Sequence, residues 1–259
     1  TLAEGKFDRK EAQDALELAV NLHIKETRHL RVDSPNPQHA IKMLGDLLQT
    51  LPTQRVRSEE QQSFQQFSTP PTYAATAAYA ANLRAGDTML EPSAGTGLMA
   101  IIAEACGATL ELNEIAPHRS ALLDGLFPAA SRTRHDAAHL KDILPSSGSF
   151  QAVIANPPFQ RLEGHLHAAI DCLAEGGRLS AIVPTRLFED AGAMQALSRR
   201  GRVVALIAFP PRAYAKHGTS VETGLLVLDC VEEIGGVPVK VVSGETLADI
   251  AKLIAALDP

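Results

Sequence analysis

Asn156-Pro157-Pro158-Phe159 follow an apolar run, Phe150-Gln-Ala-Val-Ile-Ala155, that reads as a buried strand. An exocyclic amine such as adenine N6 is a poor nucleophile because its lone pair is delocalised into the ring. A catalyst for such an amine must accept hydrogen bonds from both N–H groups and let the nitrogen pyramidalise. The Asn156 carboxamide oxygen can accept one and the Pro157 carbonyl the other, while Pro157 and Pro158 hold the acceptors in place before reaction. Phe159 would stack on the base, which must leave a duplex to enter such a pocket. The competing reading is an Asn-Pro turn after a strand, with Phe159 in the core.

Upstream, Asp87-Thr-Met-Leu-Glu91-Pro92-Ser93-Ala94-Gly95-Thr-Gly97 is a short apolar strand running into a glycine turn, and Leu98 to Ala105 has helical composition. Glycines let the backbone pass close to a ligand, and the following helix offers its N-terminal amides. The third glycine of a dinucleotide fingerprint is absent, Ala100 being the nearest small residue, and a carboxylate at Glu91 gives a phosphate binder nothing. The combination points to a ligand with a cationic or neutral end. The next strand, Thr109–Asn113, ends at Glu114, 17 positions beyond Gly97, where a carboxylate reaches ribose hydroxyls. The alternative for Glu114 is a solvated acid opening the helix near Pro117. A short third strand, Thr133-Arg-His135, leads to Asp136-Ala137, where Asp136 is placed to accept from an adenine amino group.

In this order the motifs resemble the class I S-adenosylmethionine-dependent methyltransferases, and within them the DNA adenine-N6 type with an N-P-P-Y/F motif in the gamma arrangement. The resemblance runs from about Gln65 to Cys230. It implies a Rossmann-like class I methyltransferase fold: a mostly parallel seven-stranded sheet with helices on both faces, behind an N-terminal helical extension. It implies residues 1–62 as the extension and 63–259 as the catalytic domain. By the same resemblance, S-adenosyl-L-methionine is the cofactor. Phe67, Ser68, Thr69 and Pro70 meet its methionine end together with Glu91, Pro92, Ser93, Ala94, Gly95 and Gly97; Glu114 with Ile115 and Asp136 with Ala137 meet its nucleoside. Asn156, Pro157, Pro158 and Phe159 are the catalytic tetrapeptide, Asn156 also bordering the cofactor; Phe159 and Phe209 sandwich the flipped base, and His217–Asp229 form the closing hairpin. The phrase Arg57-Ser-Glu-Glu…Gln65-Gln-Phe-Ser-Thr-Pro-Pro is similar to the methylase portion of phage and plasmid methylase-helicase polypeptides, which implies a fragment or a stand-alone relative.

Alternating strand and helix patterns give a parallel sheet covered on both faces, with ligands at the carboxyl ends of its strands. Residues 8–26 read as a helix with apolar positions at Ala12, Ala15, Leu16, Ala19 and Val20; Ser34-Pro-Asn-Pro37 breaks the pattern, and Ile41, Leu44, Leu48 and Leu51 mark a second helix. This pair either packs on the catalytic domain or meets nucleic acid or a partner. Further helices are expected from Pro70 to about Asn82, Gly164 to Leu173 and Ala191 to Arg199, with strands at 178–183 and 203–208, then a strand at 239–242 and a helix at 247–257.

A chain of 259 residues, 45% hydrophobic, can bury a full core. It lacks an eighteen-residue apolar run, and its N-terminus carries Glu4, Lys6 and Asp8, so a cytoplasmic enzyme without membrane span is expected. Cys106, Cys172 and Cys230 are odd in number and widely spaced, and His165 with His167 has no acidic or thiol company, so neither disulfides nor a metal is expected. The net charge of −6 is awkward for a nucleic-acid enzyme, but residues 161–220 carry eight Lys/Arg against five Asp/Glu. Arg199, Arg200, Arg202, Arg212 and Lys216 are expected around Phe209 as a rim for backbone phosphates, or else as solvated charges. DNA is the expected partner. Only 29 residues follow Cys230, so sequence choice would come from a fused or separate helicase or recognition domain, or be loose. RNA adenine, a protein glutamine amide, and a non-catalytic cofactor- or nucleic-acid-binding module of a helicase assembly remain alternatives.

Overall fold

The computed structural model describes residues 9–26, 37–50, 68–211, 213–214, 221–231, 240–243 and 246–257. Its sheet has eight strands: β1 (Thr88–Glu91), β2 (Thr109–Asn113), β3 (Ser131–Thr133), β4 (Phe150–Ala155), β5 (Leu173–Pro184), β6 (Arg202–Ala208), β7 (Thr223–Asp229) and β8 (Lys240–Ser243). Their order is β3-β2-β1-β4-β5-β7-β6-β8. β7 runs antiparallel to β5 and β6, and every other pairing is parallel. The expected seven-stranded, mostly parallel sheet is present, and the strand read near residue 240 extends its edge as an eighth. β3 lies two residues earlier than its sequence pattern suggested, so Arg134 and His135 belong to the loop before Asp136. β5 begins at Leu173 and runs through the glycine pair expected to precede it, with a register irregularity against β4.

Both faces of the central strands are apolar, as burial between two helix layers demands. Side chains alternate across a strand, so Met89, Ala152, Ile154, Leu225 and Val227 face one core while Leu90, Val153, Ala155, Leu226 and Leu228 face the other. The first core is closed by α1 (Arg9–Glu26), α2 (Pro37–Thr50), α3 (Pro71–Ala80), α4 (Leu98–Ala105), α5 (Pro117–Leu126) and α10 (Leu247–Ala255). The second is closed by α6 (Leu140–Ile143), α7 (Leu162–Asp171), α8 (Arg186–Glu189) and α9 (Ala191–Ser198). Five alanines make α3 thin enough to lie buried between the sheet and α2, with the Ser180 hydroxyl donating to the Ala77 carbonyl at 2.7 Å.

Ile24, Ala40, Ile41 and Leu44 belong to the same core as the sheet residues, so α1 and α2 are layers of the packing on that face of the sheet. The face that α1 buries differs from the apolar stripe read in its sequence. Ala12, Ala15 and Ala19 are exposed, Leu16 and Val20 half-buried, and among the described side chains the buried positions are Asp14, Asn21 and Ile24. An alanine face is too shallow to outweigh the ion pair and hydrogen bonds that Asp14 and Asn21 find underneath.

Candidate active site

β1 and β4 are adjacent parallel strands, with Met89 beside Ala152 and Leu90 beside Val153. The glycine loop and the Asn-Pro-Pro-Phe loop therefore leave the sheet side by side, at the point where the chain order reverses. Along the same edge come Glu114 after β2 and Asp136 after β3. Strands lie about 4.8 Å apart, so these four loops line a trough about 14 Å long. Open α/β sheets bind ligands at this reversal point.

The glycine loop has little freedom. Gly95 and Gly97 take left-handed φ values of 55° and 88°, and a Cβ on Gly97 would stand 2.6 Å from Phe127 Cε2 and 2.8 Å from Leu123 Cδ2. Only glycine allows both the turn and the close approach to α5. Asn113, 1% exposed, clasps the strand ends: its Nδ2 donates to the carbonyls of Pro92 at 2.8 Å and His135 at 2.9 Å, and its Oδ1 accepts from the Thr133 hydroxyl and the His135 N–H, each at 2.9 Å. All four hydrogen-bonding positions of that carboxamide are filled. The sequence reading passed over Asn113 as the last residue of a strand; a polar residue inside an otherwise buried strand end was the only signal.

Glu114 is buried, its Oε2 accepting from the Gly95 N–H and its Oε1 from the Ala116 N–H, both at 2.8 Å. Each carboxylate oxygen keeps a second lone pair for a further donor. Ile115 beside it is 44% exposed, a large aliphatic side chain on the open edge of the sheet. Asp136 is half-buried and caps its own 3-10 turn by accepting from the Ala138 N–H at 3.0 Å, with Ala137 buried behind it. Glu91 is 1% exposed and lies beneath the loop. Burial, reinforced by repulsion from Glu114 and opposed by the Ala100 N–H, holds its carboxyl well above the usual carboxylate range. Its Oε2 has no hydrogen-bond partner among the described residues.

Asn156 follows β4 and donates from Nδ2 to the Thr69 hydroxyl at 2.9 Å, joining the tetrapeptide to the Ser68-Thr69-Pro70 segment that opens α3. Asn156, Pro158 and Phe159 are half-buried and Pro157 is buried. Phe67 lies outside the described residues. The sequence reading named Thr69 but missed this link across 87 residues, which leaves no local trace.

Phe209 sits differently from its expected place at an open base pocket. It is 6% exposed, and its ring stacks on Tyr73 at 4.3 Å, Tyr73 in turn stacking on Tyr214 at 5.9 Å. Burial pushes the Tyr73 hydroxyl up to about 12. A base-sandwiching role for Phe209 requires that stack to open. The basic rim also differs. Arg199, Arg200 and Arg202 stand at the amino end of β6, about 23 Å of extended strand from Phe209. Arg200 pairs with Asp171, and Arg202 shares Asp229 with Arg178, at 2.9 and 2.7 Å. Arg212, Lys216 and the first turn of the closing hairpin lie outside the described residues.

A polar cluster that sequence reasoning did not find borders the glycine loop. Arg119, 3% exposed, donates from Nε and Nη2 to Asp14 Oδ1 at 3.2 and 3.1 Å. Burial opposes its charge, but Glu17, Asp14 and Glu114 outweigh that and raise its pKa. From α1, Glu17 accepts from the Ser68 hydroxyl and from the Thr96 hydroxyl at 3.1 Å, and Asn21 Nδ2 donates to the Thr96 carbonyl at 2.7 Å. Lys25 closes the row, donating to the Leu126 carbonyl, pairing with Glu104 at 2.8 Å and covering the Phe127 ring. Positions 14, 17, 21 and 25 recur at helical spacing, but as a polar stripe they read in sequence as a solvated face.

No family model and no curated protein matches the sequence. Solved structures do resemble the fold. A Listeria monocytogenes protein assigned to the class I S-adenosylmethionine-dependent methyltransferases superposes with a TM-score of 0.57 at 14% identity, covering 72% of this chain and 68% of that one. A Pyrococcus horikoshii protein assigned as an RNA methyltransferase gives 0.56 at 16%, covering 74% and 99%. The M protein of the type I restriction enzyme EcoKI gives 0.53 at 16%, covering 64% of this chain and 44% of that one. With the strand order, the antiparallel β7 and the loops gathered at one sheet edge, these likenesses show that the chain has the Rossmann-like fold of the class I methyltransferases.

Proposed function

We propose that this chain transfers a methyl group from S-adenosylmethionine to the exocyclic N6 amino group of adenine in DNA. The observation that carries the reading is the anchoring of Asn156 by Thr69 at the carboxyl end of β4, one strand from the glycine loop. With Nδ2 held, the planar carboxamide turns its oxygen away from Thr69. That oxygen and the Pro157 carbonyl would accept hydrogen bonds from the two N–H groups of a flat amine and favour a pyramidal nitrogen whose lone pair is freed from the ring, the surplus proton passing to solvent once the methyl group is in place. Phe159 stacks on the base.

The trough suits the cofactor. Ser68, Thr69, Pro70 and the loop Pro92–Gly97 would hold the amino-acid end, Glu114 the ribose, and Ile115, Asp136 and Ala137 the adenine; Phe67 joins the first group by resemblance. The buried Glu91 Oε2, without a hydrogen-bond partner among the described residues, and the exposed Ile115 side chain fit a ligand with a polar end and an apolar ring. When bound, S-adenosylmethionine supplies a methyl group on a sulfonium, the electrophile that an activated amine needs.

The likeness to a restriction-enzyme M protein and to a protein assigned as an RNA methyltransferase supports a nucleic-acid acceptor. The second reading, an RNA adenine or a protein glutamine amide, is favoured by the engagement of Arg200 and Arg202 in ion pairs away from the trough. A non-catalytic module of a helicase assembly is the rival from another class. Mass spectrometry of genomic DNA from cells expressing the chain, scored for N6-methyladenine, separates them. Asn156→Ala should lower the methylation rate by about 100-fold or more with cofactor binding kept within about 2-fold. Undiminished methylation by that variant refutes the assignment, and methylation of RNA or protein alone selects the second reading.

A further inference from the structure

We propose that Glu17, on the N-terminal helix, is a specificity residue for the amino-acid end of the cofactor, its carboxylate receiving the ammonium group. The inference rests on the S-adenosylmethionine reading of the trough. Glu17 touches both segments assigned to that end, through the hydroxyls of Ser68 and Thr96. These hydroxyls aim both carboxylate oxygens into the junction between the segment before α3 and the glycine loop.

Charge counting supplies the second argument. Asp14, Glu17 and Glu114 all act on one buried guanidinium, Arg119, and Glu91 lies against Glu114. His118 approaches Asp14 at 3.8 Å from an exposed position, and Lys25 is engaged with Glu104. Three carboxylates thus act on a single fully buried cation. Asp14 Oδ2, on a side chain 0% exposed, has no hydrogen-bond partner among the described residues. Buried carboxylates without compensation are costly, so a ligand that brings positive charge is favoured over a neutral or anionic one. This also explains why α1 docks by its polar face: the helix is a wall of the site, and its acids are part of the site's charge.

Calorimetry on the full chain tests this with three ligands. S-adenosylmethionine carries the ammonium and the carboxylate, decarboxylated S-adenosylmethionine keeps only the ammonium, and methylthioadenosine has neither. Glu17→Gln should weaken the first two by about 10-fold or more, the range of a hydrogen bond to a charged group, and methylthioadenosine by less than about 2-fold. A thermal melt establishes that the variant is folded. Equal losses for all three ligands would mean that Glu17 only braces the loop, and unchanged or tighter binding would mean that it obstructs the site; either overturns the inference while leaving the site's assignment intact. If the wild-type chain binds none of the three, the cofactor reading itself falls.

Discussion

Replacing Asp14 with alanine removes the acidic partner of Arg119 and asks whether α1 is bound into the packing on the sheet. The pair is sealed from water, with side chains 0% and 4% exposed, and Asp14 Oδ1 takes both guanidinium hydrogen bonds. Removing one member of such a buried pair costs about 3–5 kcal/mol, because the other charge stays buried. Glu17 and Glu114 still act on Arg119, which puts the expected loss near the lower figure, about 3 kcal/mol. For a chain of this size that corresponds to a fall in Tm of roughly 6–12 °C. Urea titration and thermal scans at one pH would measure it, with the m-value showing whether the unfolding unit has changed. Asp14→Leu combined with Arg119→Met should not recover the loss, because Glu17 and Glu114 would then lose the buried cation they share with Asp14. A loss below about 1 kcal/mol for Asp14→Ala would refute the docking of α1 through this pair. An unchanged loss in the Arg119→Met background would place its origin elsewhere.

Thr69→Val deletes the hydroxyl that holds Asn156 Nδ2 and should lower kcat by about 5- to 30-fold, the equivalent of roughly 1–2 kcal/mol, with Thr69→Ser restoring it. A change in cofactor affinity with kcat unaltered would contradict a positioning role for Thr69. For Asp229, burial raises the carboxyl pKa, but hydrogen bonds from Arg178 and Arg202 outweigh it and hold the value below the usual range. Its stabilisation is therefore full above the unfolded pKa of about 3.9 and is lost as pH falls through the lower folded value. Asp229→Asn should cost about 2–3 kcal/mol at neutral pH, with the gap to wild type closing in acid; a gap independent of pH in chemical denaturation would show that the ion pairs are not its source.

Strand, turn and helix signals in this chain are local, and they carried far. The run Phe150–Ala155 before Asn-Pro-Pro-Phe, the strand Thr109–Asn113 and the glycine turn all lie where side-chain alternation and turn chemistry place them. Their sequence order was enough to put the glycine loop, Glu114, Asp136 and Asn156 on one sheet edge, because parallel strands joined by helices must present their carboxyl ends together. Long-range pairing was illegible. Asp14 and Arg119 are 105 residues apart and Asn156 and Thr69 are 87 apart, and nothing in either segment specifies the other. Which face α1 buries was decided by the polarity of the surface beneath it, against the pattern of its own alanines. The arginines near residue 200 and Phe209 are neighbours in sequence but occupy opposite ends of one strand, where the former meet carboxylates and the latter meets Tyr73. The sequence alone determined the periodicity and the turns, which depend on a few adjacent residues; tertiary structure decided burial, charge pairing and which helices wall the site, since those free energies arise only between segments that folding brings together.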